Sequence, residues 1–456
     1  MIAADTIAAV ATPPGEGGVA VVRISGPDAR RILTRIFEPI GGWRGGPCPR
    51  HMVYGRVMLD GRPVDDALAV YFSGPRSYTG EDAAEIHGHG GWTAPRQTLE
   101  AALAAGARMA APGEFTQRAF LSGKIDLSQA EAVMDMVSAS TDSAARVAYG
   151  QLSGRLRRRV EAARGALLHA LAGIEVTIDY PEDDLDAPVA QESAQRIDAI
   201  ARDLEELLAT AQAGRIYREG VRCAIIGRPN VGKSSLLNAL LGEDRAIVTD
   251  TPGTTRDTLE AEIDVHGLRV VVVDTAGIRA SADPLEQMGV ERARRAVSAA
   301  GLALFLVDGT RPVSDEDRAL YREVAARPHI VLRSKLDAAE LSERAVSEAF
   351  PGAPLVSLSA KTGEGLDELE RAILDVCAGG AVLPGEALMS NVRHIDAVRR
   401  AHRELKEALV TLRSGIPLDL ATPGIRAAWH ALGEVTGGTV DEDVVRHIFA
   451  HFCVGK

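Results

Sequence analysis

The segment Gly227–Ser234, with the sequence GRPNVGKS, constrains the fold of this chain more than any other. It follows the apolar run VRCAIIG, typical of a buried strand, and precedes SSLLNALLG, which is apolar at helical spacing. Glycines in the pattern G-x-x-x-x-G-K-[ST] let backbone N–H groups turn toward phosphate oxygens at a helix N-terminus. Lys233 would then contact the β- and γ-phosphates, and Ser234 would supply an oxygen to Mg²⁺. The alternative is a glycine-rich turn that binds nothing, which the strand–loop–helix context disfavours.

Alternating strand and helix patterns surround this phosphate-binding loop (P-loop) between residues 216 and 379. The runs LRVVVVDTAG, ALFLVDGT and HIVLRSK predict buried strands, so we expect an α/β domain with a mostly parallel sheet. Helical patterns occupy residues 121–215 and 380–456, and they predict one discontinuous α-helical domain that the P-loop domain interrupts. Two unrelated helical pieces are the alternative. Residues 1–120 contain many Gly and Pro with short strand-like runs and predict a small α+β domain, which makes the fold multidomain.

Composition excludes several classes of protein. Lys and Arg number 51 and Asp and Glu number 63, and the net charge of −12 argues against a protein that coats DNA. The four cysteines, Cys48, Cys223, Cys377 and Cys453, are too few and too widely spaced for a disulfide framework or a zinc site. The sequence starts without a basic region, and no run of about 18 apolar residues occurs in it. We therefore expect no membrane association and a cytoplasmic location.

Three short motifs after the P-loop fit a nucleotide site. In DTAG, at 274–277, the aspartate can hold Mg²⁺ through water and the Gly277 N–H can sense the γ-phosphate. The motif SKLD, at 334–337, follows the strand pattern HIVLRS, and SAK follows at 359–361. The Asp337 carboxylate can accept two hydrogen bonds from guanine that adenine cannot offer, which predicts selectivity for GTP.

Together these motifs resemble those of the translation-factor-like GTPases over about residues 215–379. That family usually has Asn-Lys-x-Asp, and Ser334 stands at the Asn position, so we expect weaker hydrogen bonding to the base or the loop. Asp337 would keep the selectivity for guanine. The residues predicted to line the GTP site are Asn230, Val231, Gly232, Lys233, Ser234, Ser235, Thr249, Asp250, Thr251, Pro252, Gly253, Thr254, Thr255, Asp274, Thr275, Ala276, Gly277, Ser334, Lys335, Leu336, Asp337, Ser359, Ala360 and Lys361.

Hydrolysis needs a means of orienting water and neutralising charge. Ile278 stands where Ras-type enzymes have a water-orienting Gln, and its side chain cannot perform that role. Oxygen-bearing residues of the P-loop and of the segment TDTPGTTRD could bind a monovalent cation as well as Mg²⁺; they are Asn230, Thr249, Thr251, Thr254 and Thr255. A polar loop with helix N-caps explains the same residues equally well.

Four longer stretches resemble a single family. They are DTIAAVATPPGEGGVAVVRISG, PRSYTGEDAAEIHGHGG, PGEFTQRAFLSGKIDLSQAEAV and FCVGK. All of them are similar to the tRNA modification GTPase family called MnmE or TrmE, and the resemblance covers essentially all 456 residues. It implies a folate-binding N-terminal domain, a discontinuous helical domain and an inserted GTPase domain.

The resemblance also implies a reaction and its partners. Members form homodimers and act as heterotetramers with a flavoprotein, MnmG or GidA, which holds the FAD. Together they add an aminomethyl or carboxymethylaminomethyl group to C5 of the wobble uridine of certain tRNAs. The one-carbon unit comes from 5-formyl- or methylene-tetrahydrofolate, and GTP hydrolysis requires Mg²⁺ and K⁺.

Roles for particular residues follow from the same resemblance. The implied sets are Arg23, Glu85, Lys124 and Lys456 for folate; Asn230, Thr249, Thr251 and Thr254 for K⁺; Ser234 and Thr255 for Mg²⁺; Glu286 for orienting water; and Cys453 for the modification chemistry. Without the family, the folate set would be interpreted as surface charges. Cys453 beside Phe452 could equally be a small buried apolar residue or part of a prenylation box, which the terminal Lys disfavours. An RNA or ribosome assembly factor switched by GTP, without covalent chemistry, is the alternative function.

Overall fold

A computed structural model describes residues 5–43, 46–179, 186–242, 260–274, 300–379, 389–414 and 417–456, which contain two β-sheets, fifteen α-helices and two short 3₁₀ helices. These residues form two compact units: Met1–Met134 with Trp429–Lys456, and Asp135–Ala428. The helices, numbered here in chain order, are α1 Ala29–Ile36, α2 Thr93–Ala104, α3 Glu114–Leu121, α4 Leu127–Ser138, α5 Asp142–Leu152, α6 Arg155–Asp179, α7 Asp186–Ala209, α8 Ala211–Glu219, α9 Lys233–Leu240, α10 Asp315–Val324, α11 Glu343–Ala349, α12 Leu366–Ala378, α13 Val392–Arg413, α14 Thr422–Thr436 and α15 Glu442–Ala450.

The first unit contains a seven-stranded sheet in the order β3-β4-β5-β6-β2-β1-β7. Its strands are β1 Ile7–Val10, β2 Ala20–Ser25, β3 Phe37–Pro39, β4 Val53–Leu59, β5 Arg62–Phe72, β6 Ala83–Gly88 and β7 Arg108–Met109. Neighbouring strands are antiparallel except for the pair β1 and β7. Apolar residues alternate along β2, so Val22 and Ile24 are buried while Arg23 points to the other face. This alternation leaves a polar face on which a ligand site can form.

The helices α1 and α2 cover the apolar face of this sheet. Their buried residues pack with Ile24, Val57 and Ile86 in one core. A second cluster packs α15 against α3 and α4, through Phe449 and Leu127. The helices α4 and α15 were predicted as part of the helical domain and α3 almost wholly as part of the N-terminal domain; the predicted domain boundaries themselves stay a prediction.

The second unit contains a six-stranded sheet in the order β13-β12-β11-β8-β10-β9. Its strands are β8 Val221–Gly227, β9 Glu260–Val265, β10 Leu268–Asp274, β11 Leu302–Asp308, β12 His329–Ser334 and β13 Leu355–Ser357. All neighbouring strands are parallel except β9 and β10, which form a hairpin. The apolar runs of β8 and β11 are almost wholly buried because helices cover both faces of a parallel sheet.

The turn of the β9–β10 hairpin lies against two helices of the same unit. Gly267 has a φ of +88°, and a Cβ placed on it would lie 2.1 Å from Ser143 Oγ on α5. The His266 Nε2 atom lies 3.2 Å from Glu370 Oε2 on α12, a carboxylate side chain that is 8% exposed. Only a residue without a side chain allows the turn to approach α5 so closely.

The helices outside this sheet pack mainly on one another. The long helices α6, α7 and α13 lie side by side, and Leu204 and Leu405 are fully buried among them. The helix α5 starts at a side-chain cap, in which Thr141 accepts a hydrogen bond from the Ala144 N–H. No helix in the described ranges is both long enough and apolar enough to cross a membrane.

Candidate functional site

The P-loop joins β8 to α9 through a turn in which three residues have positive φ. Gly227 has a φ of +157°, and a Cβ there would lie 2.6 Å from the Leu306 carbonyl oxygen. Asn230 and Gly232 both have positive φ, +63° and +103°. Gly232 is the N-cap of α9, so the first N–H groups of that helix open toward the loop. The loop can therefore surround an anion with backbone donors.

The Lys233 ammonium folds back over this loop. Its Nζ donates to the carbonyl oxygens of Gly227 at 2.7 Å and Arg228 at 2.8 Å. These bonds hold a positive charge at the concave side of the loop, where the predicted β- and γ-phosphate contact needs it. Arg228 in turn donates to Ser314 Oγ at 2.9 Å, next to the start of α10. The Lys233 side chain and Ser314 thus both make hydrogen bonds to the loop.

Ser334, at the end of β12, contacts the P-loop directly. Its Oγ lies 2.7 Å from the Val231 carbonyl oxygen and 3.1 Å from that of Val307, and the residue is 3% exposed. The short side chain reaches the loop because β12 is separated from β8 only by β11. Serine therefore supplies a hydrogen bond to the P-loop from this position, and the effect of Ser334 on base contacts and nucleotide affinity stays a prediction.

The predicted guanine-recognition residues lie together. Asp337, exposed on a short 3₁₀ turn at Leu336–Ala338, accepts a hydrogen bond on Oδ1 from Ser359 Oγ at 2.7 Å. Lys335 donates to Asp308 Oδ2 at 2.7 Å. Burial raises the pKa of Asp308, but hydrogen bonds from Lys335 and Thr310 outweigh it, and the net pKa is lowered. Asp337 keeps its Oδ2 oxygen for a base.

Several predicted residues lie outside the described residues. They are Thr249, Asp250, Thr251, Pro252, Gly253, Thr254, Thr255, Thr275, Ala276, Gly277 and Glu286. Asp274 is the last residue of β10. The described members of the proposed K⁺ and Mg²⁺ sets are Asn230 and Ser234, both exposed, and Ser234 lies in the first turn of α9 beside Lys233.

The first unit has a cavity of about 300 Å³ at the polar face of its sheet. This volume lies at the low end of the range for small-molecule sites, about 300–1,000 Å³. Three of the four residues of the predicted folate set line it, and the full lining is Arg23, Phe72, Arg76, Ser77, Tyr78, Thr79, Ala83, Glu85 and Lys124. Cations, a carboxylate and aromatic rings around one space suit a flat heterocycle with an anionic tail.

Arg23 and Glu85 are directly opposite each other on β2 and β6. Arg23 Nε donates to Glu85 Oε1 at 2.9 Å, and both side chains are about one-fifth exposed. The Arg23 guanidinium also lies 5.0 Å from the Tyr78 ring centroid and 5.7 Å from that of Phe115. These contacts fix the guanidinium at the cavity wall and limit its freedom to move.

A buried charge network holds the loop Ser77–Glu81, which forms one wall of this cavity. Arg118, 4% exposed, pairs with Glu81 at 3.2 Å and Glu114 at 2.9 Å. Glu81 Oε2 accepts from Ser25 Oγ at 2.9 Å, and the Ser25 and Thr79 hydroxyls are 2.7 Å apart. Burying these charges is tolerable because each carboxylate has cationic or hydroxyl partners.

The segment Cys453–Lys456 approaches the same cavity. Arg23 Nη1 lies 3.5 Å from the Gly455 carbonyl oxygen, and a Cβ on Gly455 would lie 2.3 Å from the Val10 oxygen of β1. Cys453 is exposed, and its carbonyl oxygen accepts from the Gly113 N–H at 3.3 Å. Lys456 is partly exposed and is not among the lining residues of the cavity.

Cys48 is exposed like Cys453, whereas the other two cysteines differ from it in their surroundings. Cys223 and Cys377 are buried in the core around β8 and α12. Burial raises the pKa of the Cys377 thiol to about 11 and also raises that of Cys223. Neither thiol forms a thiolate readily at neutral pH, so a reactive role suits them poorly.

Sequence reasoning missed three side chains near the proposed sites. His87 lies 3.1 Å from Glu85, Asp308 pairs with Lys335, and Phe115 faces Arg23. The period of two along β6 could have placed His87 beside Glu85, whereas the other two contacts depend on the packing of distant elements.

Comparisons with known proteins agree along the whole chain. The family model for the GTP-binding protein TrmE N-terminus matches residues 6–124, and the MnmE helical domain model matches residues 127–453. The tRNA modification GTPase MnmE of Roseiflexus sp. is 47% identical over 470 residues, covering 100% of both chains. Those of Chloroflexus aurantiacus and Symbiobacterium thermophilum are also 47% identical, over at least 99% of each chain. The chain belongs to the MnmE family.

Membership in the MnmE family confirms the resemblance that the four sequence stretches predicted. It also confirms the predicted fold class, because the TrmE N-terminal and MnmE helical models both match a chain that contains the P-loop sheet.

Proposed function

We propose that this chain hydrolyses GTP in a K⁺-dependent reaction and thereby drives the modification of the wobble uridine of tRNA. It acts as a homodimer with the flavoprotein MnmG, which holds the FAD. The product has an aminomethyl or carboxymethylaminomethyl group at C5 of that uridine. A tetrahydrofolate derivative supplies the one-carbon unit.

The observation that carries the proposal is the complete P-loop in a chain that matches tRNA modification GTPases from end to end. Lys233, held over the loop by two carbonyl oxygens, supports binding of the β- and γ-phosphates. Asp337 and Ser359 support recognition of guanine. Family membership supports GTP hydrolysis in tRNA modification, with Mg²⁺ as the usual partner of the nucleotide.

The cations are assigned to oxygen ligands of this chain. Ser234 and Thr255 would hold Mg²⁺, and Asn230 with Thr249, Thr251 and Thr254 would hold K⁺. An amide or hydroxyl oxygen suits both hard cations. K⁺ would supply positive charge against the phosphates in place of an arginine finger, and Glu286 would orient the water, since Ile278 cannot.

The folate assignment is supported by the chemistry of the 300 Å³ cavity. The Glu85 carboxylate can accept from the adjacent ring and amino donors of a pterin, and Lys124 can pair with the glutamate tail. Lys456, which is outside the lining, would reach the ligand only from the edge of the cavity. Cys453 is proposed to take part in the modification chemistry, since its residue is exposed in the segment that contacts Arg23 through Gly455.

Nucleoside analysis of tRNA from a strain that lacks this protein tests the proposal. We expect the modified wobble uridine to disappear and to return with the wild-type chain but not with Lys233→Ala. Loss of ribosomal subunits with normal tRNA modification would instead establish the assembly-factor alternative. For the cation, GTP turnover by the purified chain should rise at least about tenfold in KCl over NaCl at equal ionic strength. Equal turnover in the two salts would exclude the K⁺ role.

A further inference from the structure

Glu85 is contacted from two sides by side chains of the same sheet face. Arg23 Nε lies 2.9 Å from Oε1, and His87 Nε2 lies 3.1 Å from Oε2. Glu85 and His87 share a face of β6 because alternate residues of a strand point to the same side. Each carboxylate oxygen therefore has its own nitrogen partner.

The chemistry of the pair fixes the role of His87 in it. An ionised carboxylate can only accept hydrogen bonds, so Nε2 of His87 is the ring nitrogen that donates. One donor alone would leave the carboxylate free to turn about its last torsion, which has a broad energy minimum. Two donors on two oxygens fix its plane. Each oxygen keeps acceptor capacity for a further donor.

The strand register places two apolar residues beside His87. Its cross-strand partners are Val21 on β2 and Leu68 on β5, both apolar. The ring itself is about one-quarter exposed, so it is neither deeply buried nor free in solvent. Among the described residues, the polar contact of the ring is the one with Glu85.

We infer that His87 is a positioning residue that aims the Glu85 carboxylate at the paired N–H donors of a bound pterin. The inference rests on the proposed folate function of the cavity. His87 acts through Glu85 and does not itself contact the ligand. Its loss should reduce the affinity for folate while leaving the fold and GTP hydrolysis intact.

The test measures binding of 5-formyltetrahydrofolate to the full chain by calorimetry. We expect His87→Leu to raise the Kd about tenfold, the effect of losing one hydrogen bond to a charged group. His87→Gln, whose amide nitrogen can reach the position of Nε2, should restore the affinity to within about threefold of wild type. In the complete modification assay, His87→Leu should raise the KM for folate without a matching fall in kcat.

His89→Leu is the matched control. His89 lies two residues along the same segment, is 72% exposed and contacts Asp65 at 2.6 Å, away from Glu85. Its replacement should leave folate affinity unchanged. Glu85→Gln is the reference for the site, because it removes the acceptor charge itself.

The outcomes distinguish the positioning role of His87 from the existence of the folate site. If Glu85→Gln loses affinity and His87→Leu keeps it, the positioning role of His87 is wrong and the folate site stands. If Glu85→Gln also binds like wild type, the folate assignment fails. Should His87→Leu fail to fold, as judged by circular dichroism, His87→Asn and His87→Gln decide the matter. Asn is too short to reach Glu85, so equal affinities for these two variants would overturn the inference.

Discussion

A single hydroxyl joins two of the loops that form the nucleotide site. Ser334 Oγ lies between the carbonyl oxygens of Val231 and Val307, with almost no exposure to solvent. The hydroxyl has one proton to donate, and the shorter distance indicates that it is donated to the Val231 carbonyl oxygen of the P-loop. We therefore expect the affinity for nucleotide to depend on this hydroxyl through its bond to the P-loop.

Replacing the Ser334 hydroxyl tests whether nucleotide affinity depends on it. Ser334→Ala leaves the Val231 carbonyl without its partner, which costs about 1–3 kcal/mol when the group is buried. We expect the Kd for GDP, measured with a fluorescent analogue, to rise about tenfold. The control is Ser342→Ala, which removes the N-cap of α11 in the same domain. It should lower stability by a similar amount and leave the Kd unchanged; an equal rise in both variants would mean a general loss of stability.

Glu286 is the residue on which the proposed hydrolysis most directly depends. It belongs to the segment outside the described residues, so its role is a prediction from sequence alone. We expect Glu286→Ala to keep the wild-type Kd for GTP and to lower turnover at least about 100-fold, as loss of a group that orients water would. Nucleotide binding and phosphate release measured on the same preparation check this. Normal turnover would remove Glu286 from the mechanism.

Among the elements, the β9–β10 hairpin has the tightest contact with the helical part of its unit. The Gly267 turn meets Ser143 of α5 with no room for a methyl group. The positive φ adds a second reason for glycine at this position.

Two glycine substitutions distinguish the effect of the close contact with α5 from the effect of the positive φ. Gly352 has a similar φ, +79°, and a Cβ added there would have no other atom within 4 Å. Alanine at Gly352 should cost about 1 kcal/mol from backbone strain alone. Gly267→Ala should cost about 1–3 kcal/mol more, because the new methyl group displaces Ser143. Calorimetric melting of both variants measures the difference. Equal shifts would show that the turn does not press on α5.

The loop Ser77–Glu81 depends on charges that acid removes. Burial raises the pKa of Glu114. Hydrogen bonds from Arg108, Ala111 and Arg118 lower it by more than burial raises it, so the net pKa is below the ordinary value of 4.5. The pKa of Asp5 is likewise lowered from 3.8, because bonds from Arg108 and Arg118 outweigh burial. Groups with lowered pKa stabilise the fold above their ordinary pKa and lose that effect as the pH falls through the lowered value.

We therefore expect the first unit to lose stability below about pH 4.5, with the decline continuing through the lowered pKa values. The three tryptophans, Trp43, Trp92 and Trp429, all belong to that unit, so their fluorescence reports its urea unfolding. Glu114→Gln should lower the midpoint at pH 7 and reduce the dependence on pH in acid. A variant with the wild-type acid profile would exclude Glu114 as its source.

The sequence predicted the strand positions of one sheet more closely than those of the other. The strands of the P-loop sheet are continuous apolar runs, and β8, β10, β11 and β12 lie where those runs predicted them. The seven-stranded sheet was predicted only as strand-like runs, because its partly exposed strands mix polar and apolar residues. The Arg23–Glu85 pair joins residues 62 positions apart, and pairing over that distance follows from strand register rather than from local sequence.

At the scale of the whole molecule, the net charge of −12 bears on how tRNA is bound. The acidic excess lies in two of the predicted segments. Residues 121–215 have 10 cationic and 16 acidic side chains, and residues 216–379 have 20 and 26, so each segment has a net charge of −6. Few phosphates can be neutralised by such a chain.

We therefore expect the chain alone to bind tRNA weakly and its partner to supply most of the phosphate contacts. A plot of log Kd against log salt for the isolated chain should have a shallow slope, because each neutralised phosphate adds about 0.9 to it. Filter binding over a range of KCl concentrations, with and without the flavoprotein, measures both slopes. A steep slope for the chain alone would contradict the prediction.

The hairpin also has a mechanical consequence. Each of its strands spans six or seven residues, about 20 Å at 3.4 Å per residue. At one end it joins the chain segments in which the cation ligands and the water-orienting glutamate are predicted, and at the other its turn abuts α5. A hydrogen-bonded ribbon is stiff along its length. The paired strands therefore connect those segments to α5 through one continuous hydrogen-bonded element.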